Sequence, residues 1–173
     1  MENTYTLIAS SIVGAGGTST ITFSSIPSTY TDLCIKISAR SSSSNERRIL
    51  FVRFNGTTSG YNDKTVRGYN SGVASQTDNG GNNSIAVYDI SAATATASAF
   101  GNVEIYIPNY TSSNKKLVSA DGASENNSAL AVTAITAGLS DVTSAITSID
   151  ILLDGTGNFV QYSTAYLYGI KNS

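Results

Sequence analysis

The sequence predicts an all-β fold, a single-domain antiparallel β-sandwich over 1–173, jelly-roll-like and built from about ten strands. Three observations predict it. Short runs alternate apolar and polar residues with the period of two that a half-buried strand requires. Turn residues punctuate those runs at the spacing of a sandwich or barrel. No run carries the apolar repeat of an amphipathic helix. Long connections, and a final run long enough to span a sheet, favour a jelly roll over an up-and-down barrel.

Residues 4–12 place Tyr5, Leu7 and Ala9 on one face, and the Gly14, Gly16, Gly17 cluster after them reads as a turn or bulge. The stretch 21–39 reads as two strands separated by a proline-stopped turn. Pro27 has no N–H to give a ladder, so the strand holding Ile21 and Phe23 should end near Ile26. In 32–39, Leu33, Ile35, Ile37 and Ala39 share one face, and Cys34, Lys36 and Ser38 the other. The serines of 41–46 form a solvated loop. Residues 48–54 are apolar on both faces until Arg53, the pattern of a central strand covered on both sides. Asn55-Gly56 is the strongest hairpin signal, because both residues tolerate the positive φ of a type I′ turn.

Residues 57–83 are the least regular part, with only 65–69 as a weak strand, and so long an irregular stretch is usually functional or mobile. Strand pattern resumes at 84–90. Residues 91–98 fit one helical turn or an extended link. Residues 100–107 form a strong strand stopped by Pro108, and further strands are expected at 116–120, 130–137 and 146–153. Asp154-Gly155-Thr156-Gly157 is a turn. In 159–170, Tyr162, Thr164, Tyr166 and Tyr168 face away from Ala165 and Leu167.

Composition narrows the chemistry. The chain has no histidine and one cysteine, Cys34, so Ser-His-Asp and Cys-His catalysis, an intrachain disulfide and a cysteine metal cluster are excluded. Cys34 reads as a small buried hydrophobe. Asp89, Glu104, Asp121, Glu125, Asp141, Asp150 and Asp154 each stand singly on polar faces or in turns, as solvated acids do, and not as a catalytic pair. The polar run 78–83 lacks the closing Glu and the spacing of an EF-hand and reads as a flexible loop. No cofactor is expected, nor nucleic-acid binding at a formal net charge of -2. The absence of a basic n-region and a long apolar run argues against a signal peptide and membrane insertion.

Charge is nevertheless segregated. Residues 36–67 hold seven basic residues against two acidic ones, whereas 68–173 hold three lysines against eight acids. Arg40, Arg47, Arg48, Arg53, Lys64 and Arg67 are therefore the candidate docking residues, facing an acidic patch on a neighbour. Ten tyrosines and no tryptophan fit equally an interface and the covering of a sheet face.

The phrases ITFSSIPSTYTDLCIKISARS, VRFNG, FGNVEIYIPNYTSSNKK, SENNSA and NFVQYSTAYLYGIK resemble a family of small virion structural proteins of tailed bacteriophages. The positions carrying it are Ile26, Pro27, Tyr30, Thr31, Asp32, Leu33, Arg40, Phe54, Asn55, Gly56, Ile107, Pro108, Asn109, Tyr110, Gly169 and Ile170, which look like fold determinants. Arg47-Arg48 departs from relatives, which are more acidic there. The resemblance implies a non-enzymatic protein located in the virion: a capsid decoration or cement protein, a homotrimer at local three-fold positions, bound to the major capsid protein or another virion protein. The alternative it implies is a tail-fibre or tail-tip protein contacting host surface glycans. A fibre module would call for an attachment domain that this sequence does not show. A polysaccharide-cleaving enzyme is the third reading.

Overall fold

The computed structural model describes residues 4–69, 71–77, 81–127 and 131–171. Among these residues there are twelve strands: β1 (Tyr5–Ile12), β2 (Thr20–Phe23), β3 (Asp32–Ala39), β4 (Arg47–Phe54), β5 (Tyr61–Tyr69), β6 (Gly72–Thr77), β7 (Ile85–Ser91), β8 (Gly101–Ile107), β9 (Lys116–Glu125), β10 (Ala131–Ser140), β11 (Ile149–Leu153) and β12 (Thr164–Ile170). They form an eight-stranded sheet, β1-β12-β3-β8-β9-β10-β5-β6, and a four-stranded sheet, β2-β11-β4-β7, with every ladder antiparallel. The all-β sandwich expected from the sequence is the fold observed. The count is twelve, because β6 has too few apolar residues to show an alternation.

The pairing nests early strands against late ones. β1 pairs with β12, β2 with β11, β3 with β8 and β4 with β7. The hairpins β5–β6 and β9–β10 are insertions that widen the larger sheet beyond β8. Between the two sheets lies one core of Leu33, Ile35 and Ile37 with Val103, Ile105, Ile107, Ala165 and Leu167 on one side. Ile21, Phe23, Leu50, Val52, Phe54, Ile149 and Ile151 supply the other. Each buried aliphatic side chain contributes roughly 1.5–3 kcal/mol over its exposed state.

The strand–turn–strand reading of 21–39 is completed and the hairpin expected at Asn55-Gly56 is corrected. β2 and β3 lie in different sheets, so the Pro27 turn is a crossover between layers and not a hairpin. Asn55 and Gly56 do take positive φ, 52° and 67°, and Thr57 N–H donates to Phe54 C=O at 2.9 Å. The tight turn is there, but β4 and β5 then enter different sheets. Asn55 works elsewhere: its Oδ1 accepts from Thr147 N at 2.8 Å and Ser148 N at 3.1 Å, and its Nδ2 donates to Ala145 O at 2.9 Å. β4 is central as expected, between β11 and β7, but its outer residues Ile49 and Phe51 are only half-buried. Residues 92–99 form turns and no helix.

Apart from Arg40, which follows the far end of β3, the positions carrying the resemblance converge at one end of the sandwich. Asp32 accepts from Asn109 N at 2.8 Å and from Tyr106 Oη at 2.6 Å, joining the start of β3 to the end of β8. Tyr110, fully buried, donates its hydroxyl to Pro27 C=O, so the two proline-stopped exits are tied to each other. Tyr30 lies over Gly169, where an added Cβ would come within 2.3 Å of its ring.

Gly169→Ala should therefore cost about 1–3 kcal/mol through forced overpacking, whereas Gly14→Ala, with nothing within 4 Å of the added carbon, should stay within about 0.5 kcal/mol of wild type. Urea unfolding of both variants is the measurement.

Candidate interaction surfaces

The basic residues of 36–67 fold into several separate settings. Arg40 turns inward, 9% exposed, and its guanidinium donates to the carbonyls of Thr96 at 2.7 Å, Ala99 at 2.8 Å, Ala95 at 3.1 Å and Ala93 at 3.3 Å. It is the hub around which loop 92–99 is wound. Arg48 holds Ser43 Oγ at 2.7 Å through Nε and Asp154 at 3.4 Å through Nη1. Arg53 donates to Asn83 O at 3.0 Å and Lys64 to Thr77 Oγ1 at 3.1 Å. Neither forms an ion pair among the described residues.

Arg47 and Arg67 are the two that the fold brings together. Both guanidiniums lie over the Tyr69 ring, at 4.1 and 5.7 Å from its centre, and Arg67 also lies 5.4 Å from the centre of Tyr88. Arg47 is ion-paired with Asp89, and Tyr88 donates to Gln76. This cluster pins the β5–β6 hairpin onto β4 and β7. Asp89 is thereby corrected from a solvated acid to a carboxylate only 7% exposed. Burial pushes its pKa up, more than the two guanidiniums pull it down. The meeting of Tyr69, Tyr88 and Asp89 with Arg47 and Arg67 had no signal in local sequence, because it is made across strands.

Part of the charge segregation is consumed inside the molecule. Lys36–Glu104 at 2.6 Å, Arg47–Asp89 and Arg48–Asp154 each join the basic segment to the acidic remainder. Within the polar run 78–83, residues 78–80 lie outside the described residues. Asn82 Oδ1 accepts from the amides of Gly60 and Tyr61, both at 3.1 Å, so it serves as a cap. Among the described residues no group of three or more His, Cys, Asp or Glu is placed to hold a metal.

The outer face of the eight-stranded sheet is a different kind of surface. Register lines its residues into cross-strand rows. One runs Leu7, Tyr168, Cys34, Tyr106, Ser119, Ala137, Lys64, Thr77. The next runs Ser10, Tyr166, Lys36, Glu104, Asp121, Ile135, Val66, Ser75. One end is aromatic and the middle is charged. At the other end is an apolar groove of about 560 Å³ lined by Val66, Ile135, Ala137 and the β6 residues Ser75 and Thr77. Of the exposed large hydrophobic residues, Tyr5, Leu7, Ile12, Val66, Val73, Leu117 and Ile135 all lie on strands of this sheet, and none on the four-stranded sheet.

No family model, curated protein or solved structure matches this chain. The surfaces must therefore be interpreted from their own chemistry.

Cys34 is fully buried in its row, and burial, with Glu104 nearby, raises its thiol to about 11. Native protein should resist iodoacetamide at neutral pH and react once unfolded, as mass spectrometry can follow. The hydrogen bond to Asp32, aided by burial, raises the Tyr106 phenol from 10.0 to about 12. That stabilisation is complete below the phenol's ordinary pKa and is lost as pH rises through about 12. The stability gap between wild type and Tyr106→Phe should accordingly narrow between pH 9 and 12 in chemical denaturation. Arg40→Ala, which strips partners from four carbonyls, should cost about 3 kcal/mol, and Lys64→Ala less than about 0.5 kcal/mol, by the same assay.

Proposed function

We propose that this chain is a non-enzymatic structural protein of a bacteriophage virion, one that decorates the capsid and stabilises it. The observation that carries the reading is the one-sided placement of the exposed apolar residues: the eight-stranded sheet offers a broad face, and the four-stranded sheet offers none. Such asymmetry marks a docking surface. The strand order supports it as well. Set apart from its two inserted hairpins, the strand order is β1-β12-β3-β8 against β2-β11-β4-β7, which fits the wrapping expected of a jelly roll. Viral capsid and lectin domains use that architecture. The sequence resemblance points the same way.

In this reading the aromatic end of the face, with Tyr5, Leu7, Tyr166 and Tyr168, meets the shell. Arg47 and Arg48 are held by internal carboxylates and Arg53 stands on the outside of the four-stranded sheet, so docking that responds to salt falls to Lys64, which lies on the outer face of the eight-stranded sheet. The tail reading rests on the same aromatic end, since tyrosine rings are also surfaces on which sugars stack.

Cryo-electron microscopy of virions is the decisive test. Density for this protein on the icosahedral shell supports the proposal, and density confined to the tail rejects it in favour of the receptor-binding reading. Leu7→Asp should lower shell occupancy about tenfold or more, and capsids lacking the protein should open at lower temperature, because a ligand specific to the assembled state adds stability by mass action.

A further inference from the structure

The two sheets present four edges, and three of them are visibly blunted. β2 is only four residues long and its approach is tied down by the Thr18–Phe159 bridge. β1 carries a register shift between Leu7 and Ala9. β7 is buried along its whole length, is bulged opposite the Leu50/Phe51 step, and gives its Ala86 N–H to the Asp63 carboxylate at 3.1 Å. These are the devices by which sheet proteins prevent further strand addition: shortness, bulges and cover.

β6 has none of them. Gly72–Thr77 contains no charge, no proline and no bulge, and five of its six residues are exposed, Val73 at 78%. It pairs with β5 in unbroken register on one side, and on the other no strand covers it among the described residues. Alternate backbone N–H and C=O groups on that side form a template for one more strand.

We propose that β6 is a self-association edge, which pairs antiparallel with β6 of a second copy of this chain and continues the large sheet across a two-fold axis. The occupant follows from the strand's chemistry. An uncharged edge can meet its own image without repulsion, whereas a charged partner would gain nothing from it. To keep the outer face continuous, a residue must pair with one of the same side; an axis on Ser75, near the middle of β6, does this and sets Val73 against Thr77 of the other copy. The seam then brings the two apolar grooves, each with Val66 and Ile135, onto one surface. Strand pairing alone buries less than the roughly 1,000 Å² of a stand-alone interface, so the contact is concentration-dependent and is reinforced wherever copies are held close. It is isologous and closes at two copies, in contrast to the three-fold arrangement that the sequence resemblance implies. It is independent of where in a virion, or elsewhere, the protein resides.

The test uses Cys34 as its silent background, since that residue is fully buried. Ser75→Cys should form a disulfide-linked dimer under mild oxidation, because directly opposed strand residues lie about 5.5 Å apart at Cα, within disulfide range. Ser119→Cys, on the same face but three strands away, should cross-link at least tenfold more slowly. In sedimentation, wild type should pass from 18.0 kDa to twice that mass with rising concentration, and Val73→Lys should remain monomeric while keeping the wild-type circular dichroism spectrum. Equal cross-linking of the two cysteine variants, a trimer without a dimer, or a dimer unaffected by Val73→Lys would each overturn the proposal.

Discussion

Every strand in this molecule is governed by one requirement: backbone N–H and C=O groups at the border of a sheet need partners, or cover, or a reason to be left open. Twelve strands in two open sheets create four borders, and the chain attends to three of them by different means. The long-range pairing of β1 with β12 and β2 with β11 fixes which strands become borders. The β5–β6 insertion then moves the far border of the large sheet away from the core and leaves β6 open.

The polar interior is organised by the same requirement. Arg40 satisfies the carbonyls of a turn-rich loop, Asn55 caps the approach to β11, and Asp32 joins the two ends that Pro27 and Pro108 define. Lys116, almost wholly buried, donates to Ser112 O and Asn114 O at 2.6 Å each, and its burial lowers its pKa. These groups close loops where no ladder can. They also explain why the resemblance positions sit at the framework: they are where separate strands are tied, away from the exposed face.

Sequence legibility followed the range of each interaction. β3 was readable to the residue, because alternation is a local signal, and β4 and β8 were placed to within a residue for the same reason, whereas β12 starts at Thr164, five residues into the run 159–170, and leaves Tyr162 in a turn. The Asn55-Gly56 turn was also local, so its φ signs were predictable, but the sheet that each flanking strand joins depends on contacts many residues away. β6, Gly-Val-Ala-Ser-Gln-Thr, has no buried face to enforce an apolar pattern and left no trace. The basic segment is the instructive case: seven cations in a short span look like an outward patch, yet Arg40 is internal and Arg47 and Arg48 find acids 42 and 106 residues further on. One-dimensional charge counts cannot register that pairing. The outer face needed the cross-strand register to be seen as a surface at all.

The molecule is a wrapped sandwich with one apolar face and one untended border at its side. Backbone amide hydrogen exchange, resolved residue by residue at low and high protein concentration, tests it most directly. The account predicts that the β6 amides not bonded to β5 exchange freely in dilute solution and gain protection as concentration rises, with the β1 amides unchanged. Protection of β1 in place of β6, or free exchange of β6 at every concentration, would contradict it.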